Sequence, residues 1–107
     1  MDKLQTLAAL AALAQETRLD VFRLLVVAGD EGLPAGEIGE RLGVKQNTMS
    51  ANLAVLARAG LIGSRREGRT IRYFAEYAKI RGLLHYLVED CCAGSPACCP
   101  PSWRPTP

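Results

Sequence analysis

Residues 34–59 read Pro34-Ala-Gly-Glu-Ile38-Gly-Glu-Arg-Leu42-Gly43-Val-Lys45-Gln-Asn-Thr-Met49-Ser-Ala-Asn-Leu53-Ala-Val-Leu56-Ala-Arg58-Ala59, and this stretch decides the fold. Pro34 suits a first helical position, Ile38 and Leu42 lie four apart, and Gly43 breaks the segment. A new helix then runs from about Gln46 to Ala59. Its stripe of Met49, Leu53 and Leu56 faces a core and turns Gln46, Asn47, Ser50, Ala51 and Arg58 outward. A short helix, a glycine turn and a helix with a small, polar outer face form the helix-turn-helix signature.

The flanks extend the pattern. Upstream, Leu4, Leu7, Ala8, Ala11 and Ala14 recur at helical spacing and predict a helix over 3–14. A second, over 16–28, carries Leu19, Phe22, Leu25 and Val26 and stops at Gly29. Downstream of Gly60 the period changes. Segments 61–66 and 70–75 are strand-like and flank Glu67-Gly68-Arg69, where glycine permits a tight turn. Arg65, Arg66, Arg69 and Arg72 make this hairpin a positively charged wing. A last helix, over 78–90, sets Ile80, Leu83, Leu84, Leu87 and Val88 on one face. The fold class is mainly α with a small β-hairpin, a winged helix-turn-helix in the order ααααββα.

At 107 residues the chain has room for one modest core. The domain proper spans 1–90, and 91–107 form a cysteine-rich tail that lacks periodicity and is expected to be poorly ordered without a ligand. Aromatic residues make up only 6% against 49% hydrophobic, which favours helix over strand. No run of about 18 apolar residues suggests a membrane span and the amino terminus lacks a signal-peptide pattern, so a cytoplasmic location is expected. The formal charge of +2 conceals segregation. Between Arg41 and Arg81, nine basic residues stand against Glu67 and Glu76, a local +7 that leaves −5 elsewhere. Such a strip is a candidate nucleic-acid footprint, with a solvated basic face as the plainer alternative. Ser-His-acid sets, phosphate loops and paired carboxylates are missing, so an enzyme is not expected.

All four cysteines, Cys91, Cys92, Cys98 and Cys99, lie within nine residues directly behind the last helix. In a reducing compartment such a cluster points to soft-ion ligation or redox sensing rather than a structural disulfide. A catalytic thiol would want electropositive surroundings, whereas these follow Glu89 and Asp90 at a helix carboxyl end.

With Leu13-Ala14-Gln15-Glu16-Thr17-Arg18-Leu19, Thr48-Met49-Ser50-Ala51-Asn52-Leu53, Ala59-Gly60-Leu61-Ile62 and Arg66-Glu67-Gly68-Arg69 in this order, the chain resembles the ArsR/SmtB winged-helix repressors over roughly residues 4 to 92. The resemblance implies a homodimer that binds double-stranded operator DNA and leaves it when a metal, metalloid or other signal binds. It places Gln46, Asn47, Thr48, Ser50, Ala51 and Asn52 on the recognition helix and Arg65, Arg66 and Arg69 on the DNA-binding wing. Asn52 stands where the family commonly has His, and Lys45 where an N-cap Ser is usual.

Glu37 to Leu42 carries no sulfur where many members have a Cys-x-Cys pair, and the last helix offers only His85 and Glu89 where zinc sensors have Asp and His pairs. The spacing of Cys91, Cys92 and Cys98 is instead similar to that of arsenite-responsive members, which implies As(III) or Sb(III) as inducer and assigns Cys99 no fixed role. Three thiolates cancel the charge of a trivalent metalloid. Zinc on four thiolates would be doubly negative beside Glu89 and Asp90, which is less favourable. Zinc, cadmium or lead sensing and thiol redox sensing on the same scaffold remain the alternatives.

Overall fold

The computed structural model describes residues 1–89. Helix α1 (Lys3–Leu13) opens on a capping box: Asp2 accepts from the Gln5 amide at 2.7 Å while the Gln5 side chain accepts from the Asp2 amide at 3.0 Å. Helix α2 (Glu16–Ala28) is capped by Gln15, which accepts from the Arg18 amide, and ends at Gly29 with φ 75°. A short 3-10 turn, Gly29–Glu31, leads to strand β1 (Leu33–Pro34) and helix α3 (Ala35–Leu42). Helix α4 (Gln46–Arg58), strands β2 (Ile62–Glu67) and β3 (Thr70–Ala75), and helix α5 (Tyr77–Val88) complete the order.

The winged helix-turn-helix class expected from the sequence is present, with one strand more than the hairpin supplied. Leu33 and Pro34 pair antiparallel with Tyr73 and Arg72, giving a three-stranded sheet in the order β1-β3-β2. Pro34 therefore closes a strand instead of opening α3. A two-residue strand that includes a proline has no alternation to detect and sits at the sheet edge, where the missing N–H is tolerated. Gly32 makes the approach possible. It has φ 63°, and a Cβ there would lie 1.9 Å from the Tyr73 carbonyl oxygen.

The core is built from Val21, Phe22 and Leu25 of α2, Ile38 of α3, Met49, Leu53 and Leu56 of α4, Leu61, Ile62 and Ala75 at the base of the sheet, and Leu83 of α5. The side of α1 turned to this core is Thr6, Ala9 and Ala12, not the stripe suggested by helical spacing. Leu4 and Leu7 are 78% and 54% exposed. Close helix packing selects the small residues for the inside and leaves the leucines outside. On α5 the single apolar face splits likewise: Leu83 is buried, whereas Leu84 and Leu87 are 53% and 54% exposed. Tyr77 starts that helix and donates its hydroxyl to the Val26 carbonyl at 3.2 Å, pinning α5 to the end of α2. Among the described residues no helix is long and apolar enough to cross a membrane.

Candidate nucleic-acid interface

Helices α3 and α4 meet across a tight joint. Gly43 adopts the left-handed conformation at φ 66°, and the Val44 amide reaches back to the Gly39 carbonyl at 3.0 Å, ending α3 and aiming the chain into α4. Gly39 also lets the two helices close up, since a Cβ there would meet the Gln46 side chain and the Val44 carbonyl at 3.1 Å. On α4, Met49, Leu53 and Leu56 are fully buried, and Gln46, Asn47, Thr48, Ser50 and Ala51 are exposed. Lys45 supplies no side-chain cap and no acid occupies the first turn. Asn47 Oδ1 accepts from the Thr48 amide at 2.8 Å, so that end of α4 presents the amides of Gln46 and Asn47 and a positive dipole end with a lysine beside them, an environment suited to a phosphate.

Asn52 differs from its expected place at the DNA surface. It is 8% exposed, and its amide is committed on both sides: Oδ1 accepts from Arg18 Nη1 at 3.2 Å, and Nδ2 donates to the Thr48 carbonyl at 3.2 Å. Three residues after Met49 and four before Leu56, it falls on the flank of the buried stripe. Its burial and these two bonds turn the side chain inward, away from the exposed face of α4.

The wing alternates. Arg65 pairs with Arg72 and Arg66 with Ile71, so Arg65 and Arg66 project from opposite faces of the hairpin. Arg65 lies over the Phe74 ring, 5.6 Å from its centroid. Two arginines directly opposite each other repel, and Arg72 is the one that is neutralised. Its Nε donates to Glu67 Oε1 at 2.6 Å, and its Nη1 to the carbonyls of Glu31 and Gly32 at 3.3 Å each. Arg72 thereby ties the wing to the turn before β1, while Arg65, Arg66 and Arg69 stay exposed. Sequence reading placed all four together as a charged stud. The cross-strand facing of Arg65 and Arg72, with Glu67 nearby, was the signal that one of them is structural. Arg72→Ala is expected to lower the melting temperature by about 5 °C, through loss of charge-assisted hydrogen bonds, and to leave the salt dependence of DNA binding unchanged. A thermal melt beside a salt titration checks this.

Cys91, Cys92, Cys98 and Cys99, with the tail assigned to 91–107, lie outside the described residues. His85 and Glu89 are both exposed on and just after α5. Among the described residues no group of three His, Cys, Asp or Glu is gathered to hold a metal ion.

A helix-turn-helix domain family matches residues 13–65. The chain is 33% identical over 78 residues to the transcriptional activator HlyU of Vibrio cholerae, covering 73% of this chain and 69% of that protein. The solved structure of Vibrio cholerae HlyU superposes with a TM-score of 0.64 at 32% identity, over 86% of this chain and 99% of that one. Over 64 residues the chain is 39% identical to a putative arsenical resistance operon repressor, ArsR, of Halobacterium salinarum, spanning 60% of this chain and 49% of that protein. A homodimeric winged helix-turn-helix DNA-binding domain from Mycobacterium bovis, a possible ArsR-family regulator, superposes with a TM-score of 0.65 at 26% identity, over 86% and 85% of the two chains. These relatives are transcriptional regulators and not enzymes. With the helix-turn-helix, the arginine wing and these likenesses in the same order along the chain, the protein belongs to the ArsR/SmtB family of winged-helix transcriptional regulators.

Proposed function

We propose that the chain is a homodimeric, cytoplasmic repressor that binds palindromic operator DNA and is released when As(III) or Sb(III) is captured by Cys91, Cys92 and Cys98. The observation that carries the DNA half is the exposed polar face of α4, with no acid in its first turn, beside the exposed arginines of the wing. Gln46, Asn47, Thr48 and Ser50 reach base edges in the major groove, Ala51 offers a small apolar contact, and Arg65, Arg66 and Arg69 hold phosphates. Leu4 and Leu7 of α1 and Leu84 and Leu87 of α5 supply an apolar surface for a second copy. The homodimeric Mycobacterium bovis domain supports that assembly. A two-fold dimer spaces two α4 helices about one or more helical turns apart on DNA, roughly 34 Å each, and the operator halves follow that spacing.

The inducer half rests on donor chemistry. Thiolates are soft ligands, and three of them fit a pyramidal trivalent metalloid as a neutral complex, the form best tolerated at the carboxyl end of α5 beside Glu89 and Asp90. The Halobacterium salinarum relative, named for arsenical resistance, supports the reading, whereas HlyU is named an activator and leaves the sign of regulation to experiment. The second reading, a redox or zinc, cadmium or lead sensor on the same scaffold, is favoured by the four clustered thiols themselves. A gel-shift titration on the protein's own upstream DNA with arsenite, antimonite, zinc, cadmium, lead and peroxide side by side decides among them. Release by arsenite and antimonite in reducing buffer is expected; release by peroxide alone makes the protein a redox sensor.

The wing yields a separate test. Arg65→Ala combined with Arg69→Ala should weaken binding to any duplex and flatten its salt dependence by about 0.9 in log-log slope for each phosphate no longer held. Gln46→Ala or Ser50→Ala should instead change preference among operator sequences. An unchanged salt slope in the double arginine variant would overturn the docking.

A further inference from the structure

We propose that Arg18 is a positioning residue that locks the recognition helix α4 to the dimerisation helix α1, so that operator specificity depends on a side chain that never touches DNA. The inference rests on operator binding through α4 as proposed above. Arg18 lies in the first turn of α2, where a cation opposes the positive end of the helix dipole. Local helix preference therefore does not account for it. Its hydrogen bonds do. Nε donates to the Ala12 carbonyl at 2.6 Å, one of the acceptors that the last turn of α1 leaves unpaired, and no basic residue of α1 serves that end. Nη1 donates to Asn52 Oδ1 at 3.2 Å, and Asn52 Nδ2 passes the link to the Thr48 carbonyl within the exposed reading turn of α4.

Packing fixes this spacing on the core side only, through Ala9 and Ala12. Between α1 and α4 runs an open groove of about 350 Å³, with Ala8, Ala11 and Ala12 on one side and Val55 and Ala59 on the other. Small side chains facing across a groove leave that side of the contact loosely filled. The planar guanidinium spans it with two donors in fixed directions, a geometry a single ammonium cannot reproduce. Because α1 also carries the exposed leucines proposed to meet a partner, the same bridge transmits the geometry of the dimer to the residues that read bases.

The test compares binding of the full chain to its own upstream operator duplex and to a scrambled duplex across a salt series. Arg18→Lys keeps the charge, so affinity for the scrambled duplex and the salt slope should stay at wild-type values, while operator affinity falls about tenfold because the coupled hydrogen bonds are gone. Asn52→Leu, similar in shape and uncharged, removes the acceptor from the other end and should give the same selective loss. The two changes together should cost no more than either alone. Asn52→Leu also reads the link if the Arg18 variant fails to fold. Wild-type operator affinity in Arg18→Lys, equal loss on both duplexes, or fully multiplying losses in the double variant would each overturn the proposal. A wild-type protein that does not prefer its operator would instead overturn the DNA-binding reading beneath it.

Discussion

Leu7→Glu and Leu84→Glu should each leave a folded chain that sediments as a monomer and has lost its operator affinity. Both leucines are more than half exposed on the single chain, so the substitutions leave the core undisturbed. In a two-fold dimer each position counts twice. Burying the exposed half of a leucine contributes about 0.8–1.5 kcal/mol, so losing two weakens association by roughly ten- to a hundredfold, before the added repulsion of desolvated carboxylates. A monomer holds one recognition helix, and the match to a palindrome disappears with the second. Leu83→Glu is the contrasting control: that side chain is buried, and its replacement should unfold the chain instead. Sedimentation and gel shift on the same samples check both outcomes. A wild-type monomer that binds the operator with full affinity would refute the dimer.

The difference between Leu83 and Leu84 also shows where the sequence was legible. Period and glycine placement located α3, α4 and both strands of the wing to within a residue or two, because Ile38, Met49, Leu53 and Leu56 form an uninterrupted stripe against one core. Helices α1 and α5 are apolar on more than one side, so spacing alone does not single out the inward set, Thr6, Ala9 and Ala12 on α1 and Leu83 on α5. Strand β1 was too short to carry an alternation.

At the site, exposure of Gln46, Asn47, Ser50 and Ala51 followed from helix geometry, but the placement of Asn52 and Arg72 did not. Each is a polar residue withdrawn from the surface by a partner distant in sequence, Arg18 for the one and Glu31 and Gly32 for the other. A residue's own position on a helix or strand does not encode such partners. Their signals were indirect: an arginine on the wrong end of a helix, and two arginines opposite each other on adjacent strands.

The second large effect concerns the inducer. Cys91→Ser, Cys92→Ser and Cys98→Ser are each expected to bind operator like the wild type and to lose release by arsenite completely. A hydroxyl is a hard, neutral donor, so one exchange removes both a soft ligand and a charge from a centre that needs three of each. Release in the wild type requires only a modest coupling of about 1–3 kcal/mol between metalloid and DNA, roughly a 5- to 150-fold change in affinity, and no fraction of it survives if the metalloid is not held. Cys99→Ser should have a smaller effect, since the proposed ligand set is complete without it. The measurement is a gel-shift titration with arsenite in reducing buffer, paired with thiol counting that should find three sulfurs per chain protected by As(III). Arsenite that still frees DNA from the variant with all three positions changed would remove the proposed site. Protection of all four thiols, with zinc or cadmium causing release, would favour the metal-sensing reading. Loss of release only when an oxidant is the signal would assign the same cysteines to redox sensing.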